Sequence, residues 1–119
     1  MPRTEEEFLA RYLYQRATEA QISPIRLISI SLCESGLRAS TPQNSKKKGS
    51  IDYSLMRINS QHIPQAVKMG LDVTNYEDNT DFALHLIKRN GWADYRFSKS
   101  CWKKSTTINK VYKLLALDG

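Results

Sequence analysis

The stretch Ser23-Pro24-Ile25-Arg26-Leu27-Ile28-Ser29-Ile30-Ser31-Leu32-Cys33-Glu34-Ser35-Gly36 constrains this chain most. Ser23 can cap a helix whose first position is Pro24, where a missing N–H does no harm, and Gly36 stops it. Ile25, Leu27, Ile28, Ile30, Ser31, Leu32 and Cys33 make that helix apolar on most of its sides. A helix of that kind has to be surrounded by other elements rather than laid on a surface. It is expected to be the central buried helix, with Glu34 in its last turn near the surface of the core.

The remaining pattern is helical with one extended interruption. From Thr4 to about Ala20, Phe8, Leu9, Tyr12, Leu13 and Ala17 recur at helical spacing, and Thr4 with Glu7 forms a capping-box pattern. Between Gly49 and Asn59 β-prone residues mix with turn formers, which predicts a small sheet or hairpin. A short helix is expected from Ile63-Pro64 to Met69-Gly70, a longer one from Asp78 or Asn79 to Arg89, ended by Asn90-Gly91, and a last one from Thr107 to Leu117. The expected fold class is α+β, predominantly α, in a single domain over 1–119. That length allows a hydrophobic core that needs neither metal nor disulfide to form.

The net charge of +6 points to an anionic partner, with nucleic acid and the bacterial cell wall as the two candidates. Lys46-Lys47-Lys48 follows Thr41-Pro42-Gln43-Asn44-Ser45 and reads as an exposed, solvated loop. No zinc-finger spacing, aromatic RNA-binding signature or long basic helix accompanies the charge, so nucleic acid is not the expected partner. No apolar run is long enough to cross a membrane, and two His and two Cys lack metal-ligand spacing, so neither membrane insertion nor a cofactor is expected. The start Met-Pro-Arg-Thr-Glu-Glu-Glu lacks the basic and apolar parts of a secretory signal. A protein acting on the wall would then arrive by another route, or with a leader outside this sequence.

Glu34 and Asp52 are two carboxylates in contrasting surroundings, which is what acid-catalysed cleavage of a glycosidic bond needs. The apolar helix end around Glu34 favours a protonated carboxyl; the polar neighbours of Asp52 favour an ionised one. A glycosidic oxygen is a poor leaving group until protonated, so the first is a candidate general acid. The second would stabilise positive charge at the sugar carbon or attack it.

The two frames Cys33-Glu34-Ser35-Gly36-Leu37 and Gly49-Ser50-Ile51-Asp52-Tyr53-Ser54-Leu55-Met56-Arg57-Ile58-Asn59-Ser60 resemble the lysozyme-like superfamily, which comprises the c-type lysozymes and the small specialised lytic transglycosylases of secretion and conjugation systems. The shared pattern is Glu-Ser closing a helix, a loop, then Gly-Ser-x-Asp-Tyr-Gly-Leu-x-Gln-Ile-Asn-Ser. Gly49, Ser50, Asp52, Tyr53, Leu55, Ile58, Asn59 and Ser60 match it, and the likeness continues more weakly over Asn79 to Trp102. The resemblance implies a two-lobed fold, with a helical lobe, a small β-lobe and a cleft between them that binds the alternating amino sugars of peptidoglycan as a monomer. It implies Glu34 as the general acid, Asp52 as the carboxylate across the cleft and Asn59 as a residue beside the cleaved sugar. Asn59 has an equally simple reading as a hairpin hydrogen bonder. Tyr95, like Trp92 and Trp102, is a candidate for stacking on sugar rings or for core packing, and His62 for a contact at the cleft edge.

Two departures from the pattern stand out. Ser54 replaces a Gly, which suggests a backbone that need not take a glycine conformation. Arg57 replaces a Gln and brings a permanent cation within possible reach of Glu34 or Asp52. Paired with Glu34 it would hold the acid ionised; directed along the cleft it would meet carboxylates of the wall, and this second arrangement is the one expected. Phe97-Ser98-Lys99-Ser100-Cys101-Trp102 stands where the transglycosylases carry Tyr-Asn-x-Gly, so hydrolysis of the β-1,4 bond is preferred over formation of 1,6-anhydro products. The other readings are a weakened homologue that binds the wall and a basic nucleic-acid-binding domain. Cys33 and Cys101 allow one bridge, comparable to a tie in c-type lysozymes, or remain two buried thiols. Neither His is placed by a motif to activate Cys33 as a nucleophile.

Overall fold

Helix α2 (Pro24–Ser35) opens with the Ser23 hydroxyl accepting the Arg26 N–H and closes on Gly36 at φ 72°, whose N–H reaches the Leu32 carbonyl. Around it pack α1 (Glu5–Glu19), α5 (Lys99–Trp102) and α6 (Ser105–Ala116). The computed structural model describes residues 4–40, 43–45 and 49–116; the Lys46-Lys47-Lys48 cluster and Leu117 lie outside them. Two compact units divide the chain. One is Met1–Arg38 with Tyr95–Gly119, and the other is Ala39–Asp94.

In the first unit, α1 begins as its capping residues dictate: Thr4 is extended and its hydroxyl accepts the Glu7 N–H at 3.1 Å. Its inward stripe is Leu9, Ala10, Leu13 and Ala17. Phe8, expected on that stripe, is half exposed instead, because the covered face of α1 is the one that carries Leu9, Ala10, Leu13 and Ala17, and Phe8 lies beyond its edge. Leu27, Ile28, Ser29, Ile30 and Ser31 of α2 are fully buried, in keeping with a helix covered from several sides. Cys33 and Cys101 form a disulfide with Cα atoms 6.1 Å apart, which corrects the alternative of two free thiols and leaves no cysteine as a nucleophile.

The second unit holds a three-stranded antiparallel sheet in the order β1 (Gln43–Asn44), β2 (Ile51–Tyr53), β3 (Ile58–Asn59). Gln43–Asn44, read as loop in the sequence, is drawn into the sheet because β2 offers a free edge, with Gln43 opposite Asp52. A 3-10 turn at Ser60–His62 runs into α3 (Ile63–Lys68), and α4 (Tyr76–Asn90) follows. Helix α4 starts earlier than expected because Asn75, whose side chain accepts the Asp78 N–H, is the capping residue. Just before it, the hydroxyl and amide of Thr74 donate to Asp72 and hold its carboxyl below the ordinary carboxylate range. The 3-10 turn at Ala93–Ser98 and the short α5 were not anticipated: neither has the length to show a period. The whole is predominantly helical with a small antiparallel sheet, as expected. Among the described residues no helix is long and apolar enough to cross a membrane.

One buried amide holds the β2–β3 hairpin to α4. Asn79 is fully buried; its Oδ1 accepts the Met56 N–H at 2.8 Å, and its Nδ2 donates to the Tyr53 carbonyl at 2.7 Å and the Val73 carbonyl at 2.8 Å. A methyl group can replace none of these bonds, and each stranded group costs about 1–3 kcal/mol. Asn79→Ala is therefore expected to lower stability by at least about 3 kcal/mol in urea denaturation; a loss under about 1 kcal/mol would mean that water or a shifted helix replaces the amide.

The disulfide spans 68 residues of chain, and a loop of that size removes about 4 kcal/mol of unfolded-state entropy when closed. Replacing both cysteines with serine should lower the free energy of unfolding by about 2–4 kcal/mol, with the helical circular dichroism retained at low temperature. An equal stability of the bridged and serine forms would show that the loop is already closed by packing alone.

Candidate functional site

The segment carrying the candidate carboxylate is a tight hairpin with an apolar tip. Strands β2 and β3 pair Asp52 with Asn59 and Tyr53 with Ile58. Between them Ser54-Leu55-Met56-Arg57 forms a turn closed by the Arg57 N–H on the Ser54 carbonyl at 3.0 Å. Leu55 and Met56 at the tip have no solvent exposure, so the turn plugs into its unit rather than projecting into water. This hydrophobic anchor, worth about 1.5–3 kcal/mol for each fully buried side chain, fixes the hairpin's position in the unit.

Both ends of the turn take the left-handed conformation, Ser54 at φ 60° and Arg57 at φ 48°. The expectation that Ser54 relieves the backbone of a glycine conformation is thus corrected. The left-handed region is still used, at a cost of about 1–2 kcal/mol for a residue with a Cβ. Ser54 is buried and its hydroxyl donates to the Ala39 carbonyl at 3.2 Å, a bond that glycine could not make. A net hydrogen-bond contribution of about 0.5–1.5 kcal/mol offsets much of the strain.

Arg57 answers a question the sequence left open. Its Nη2 lies 2.9 Å from Asp52 Oδ2, with side-chain exposures of 20% and 14%, so the cation is paired with the hairpin's own carboxylate. This differs from the arrangement expected above, in which Arg57 was directed toward carboxylates of a ligand. Geometry explains it. Five residues apart across a turn, with Arg57 left-handed, the guanidinium folds back over β2. The other oxygen, Asp52 Oδ1, accepts from Asn59 Nδ2 at 2.9 Å.

Asn59 joins the neighbouring polar side chains into one network. Its Nδ2 is also within 3.0 Å of Ser50 Oγ and 3.2 Å of Ser45 Oγ, and its Oδ1 accepts the Gln61 N–H at 3.0 Å, capping the following 3-10 turn. Two amide hydrogens serve three acceptors, so Asn59 is engaged by the hairpin on every polar atom. The Ser60 hydroxyl accepts the Ile51 N–H at 3.2 Å and closes the same end of the sheet. The matched residues Ser50, Asp52, Asn59 and Ser60 are thus hydrogen-bonding partners within one hairpin.

The other candidates are placed separately. Glu34 is half-buried in the last turn of α2, in the helical unit, between the bridged Cys33 and Ser35, whose hydroxyl donates to the Ser31 carbonyl. His62, the candidate for a contact at the cleft edge, is half-buried with its ring centroid 5.5 Å from that of Phe82. Tyr95 is 5% exposed, and its carbonyl accepts from Trp102 Nε1 at 3.0 Å and from the Ser98 hydroxyl. Tyr95 and Trp102 are both buried, which is the core-packing alternative of the sequence reading rather than the sugar-stacking one. Asn79, which sequence reasoning used only to mark a helix start, is the residue that positions the turn; set between Glu77-Asp78 and Thr80-Asp81, it carries no local sequence signal of that role. Among the described residues no group of His, Cys, Asp or Glu is arranged to hold a metal ion.

No protein-family model, curated protein or solved structure matches this chain.

The Asp52–Arg57 contact is testable as a pair. Charge-assisted hydrogen bonds at low exposure contribute about 1.5–3 kcal/mol. In a cycle of Asp52→Ala, Arg57→Gln and the double variant, the coupling energy from urea denaturation is expected at about 1–2 kcal/mol, reduced only slightly by salt. Strictly additive losses would mean that the two side chains do not hold each other in solution.

Proposed function

We propose that this protein cleaves the glycan strands of bacterial peptidoglycan at the β-1,4 bond between N-acetylmuramic acid and N-acetylglucosamine, as a glycosidase of the lysozyme-like superfamily. The observation that carries the reading is the register of the hairpin: the residues that match the superfamily pattern, Asp52 and Asn59 above all, are bonded to each other across β2 and β3. Glu34, closing the buried helix α2, supplies the second half of the pattern.

In this reading the carboxylic acid of Glu34 gives its proton to the glycosidic oxygen. The bond from that oxygen to the sugar carbon breaks, and the leaving sugar departs as an alcohol. Water then attacks the carbon and returns a proton to the Glu34 carboxylate, which gives hydrolysis. Asp52 supplies negative charge to the developing cation. Its pairing with Arg57 and Asn59 gives weight to a second reading, in which Asp52 positions the hairpin, Glu34 is the single acid and base, and the sugar's own 6-hydroxyl attacks to leave a 1,6-anhydro product. A carboxylate already bonded through both oxygens is a weaker nucleophile. The net charge of +6 suits the anionic wall in either case.

Incubation with purified peptidoglycan and mass analysis of the soluble products tests the proposal. Reducing-end muropeptides are expected for hydrolysis and anhydro products for transglycosylation; retained binding without products would reduce the chain to a wall-binding module. Glu34→Gln should abolish cleavage while wall binding persists, and more than a few per cent residual activity would exclude Glu34 as the acid. Asp52→Asn should cut turnover by orders of magnitude if its charge acts at the sugar carbon. A loss below about tenfold, ~1.4 kcal/mol in the barrier, would favour the single-acid route.

A further inference from the structure

Phe97 is the most exposed large apolar side chain among the described residues, at 87%. A single apolar residue in water is ordinary on a protein surface, but this one is held there by its surroundings. It lies in the 3-10 turn Ala93–Ser98, where Tyr95 is buried and its carbonyl accepts from both the Ser98 hydroxyl and Trp102 Nε1. The following helix α5 is fastened in turn by the buried Trp102 and by the bridge from Cys101 to Cys33. The chain on both sides of Phe97 is thus tied to the helical core, and the ring stays outside it.

The charges around the ring are of one sign. From residue 95 to residue 117 the sequence has no Asp or Glu; Arg96 directly precedes Phe97, and Lys99, Lys103 and Lys104 follow it. All four cations are exposed. The Lys103 N–H donates to the Lys99 carbonyl at 3.0 Å, so these two lysines lie on one side of a helical turn, and Trp102 is buried beneath them. Among the described residues no carboxylate forms an ion pair with Lys99, Lys103 or Lys104. The Arg96 guanidinium carbon lies 4.5 Å from the centroid of the Phe97 ring, so one face of the ring carries a cation of its own.

We propose that this corner of the helical unit is a peripheral docking surface for an anionic lipid membrane. The lysine ammonium groups meet headgroup phosphates, and the Phe97 ring enters the boundary between headgroups and acyl chains; the protein rests on the membrane and does not span it. Charge alone would suit any polyanion, nucleic acid included. The ring decides between them, because a lipid surface buries an apolar side chain that a phosphate backbone leaves in water. Stacking on a base, the other use of an aromatic among cations, needs a ring face, and Arg96 occupies one. None of these residues takes part in the cleavage chemistry above, and the docking surface does not depend on it.

Sedimentation of the intact chain with lipid vesicles tests the proposal. Vesicles of phosphatidylglycerol and phosphatidylcholine in equal parts should bind the protein, and vesicles of phosphatidylcholine alone should not. A lysine near such a surface contributes about fivefold to partition, so replacing Lys99, Lys103 and Lys104 together with Gln should lower binding about a hundredfold and flatten its salt dependence. Phe97→Ser should lower binding about tenfold with the salt dependence kept, and Phe97→Leu should restore most of it. All four side chains are exposed, so circular dichroism should be the same in every variant. Phe97→Trp should gain fluorescence over the unsubstituted chain on binding, and brominated acyl chains should quench that gain. Equal binding to neutral vesicles, binding indifferent to Phe97→Ser, or an absence of quenching would overturn the proposal. So would tighter binding to a single-stranded oligonucleotide that also depends on Phe97, which would assign the surface to nucleic acid instead.

Discussion

The helical unit depends on the burial of α2. Because Leu27, Ile28, Ile30 and the small polar Ser29 and Ser31 leave it no exposed face along its middle, α1, α5 and α6 must all find a seat against it. That single demand accounts for the course of the chain, which leaves this unit after Arg38 and returns to it at Tyr95. The disulfide joins the carboxyl end of α2 to α5 and reinforces the return. Glu34 stands in the last turn of α2, half-buried at its carboxyl end.

The sheet unit depends on a different device. A three-stranded sheet of two- and three-residue strands has too few ladder bonds to stand alone. It is held by burying the turn, with Leu55 and Met56 inside the unit, and by Asn79, which satisfies the turn's backbone from α4. A buried amide with every bond made specifies one placement and penalises others. The left-handed Ser54 and Arg57 are tolerable for the same reason: the surrounding packing over-determines the turn.

The polar face of that hairpin illustrates how a matched residue and a catalytic residue differ. Asp52, Asn59, Ser50 and Ser60 answer one another's hydrogen bonds, so their presence together is explained by the hairpin before any substrate is invoked. Arg57, in place of the Gln of the superfamily pattern, adds an ion pair to the network and draws charge from Asp52. The chemical weight of the proposal therefore rests on Glu34 more than on Asp52.

Much of this was legible in the sequence by itself. The Ser23-Pro24 start and Gly36 stop of α2, the Thr4 cap of α1 and the hairpin between Gly49 and Asn59 are local events, decided by hydrogen bonds and backbone preferences within a few residues. The position of Glu34 in the last turn of the buried helix follows from the same local rules. Tertiary structure decided what depends on neighbours distant in the chain. The seat of Phe8 outside the core, the burial of Tyr95, the contact of His62 with Phe82, the pairing of Arg57 with Asp52 and the role of Asn79 each turn on which surface meets the side chain. Periodicity marks which residues share a face; only packing decides which face is covered, and an Arg or an Asn within reach of several partners is settled by the nearest one that also satisfies its geometry.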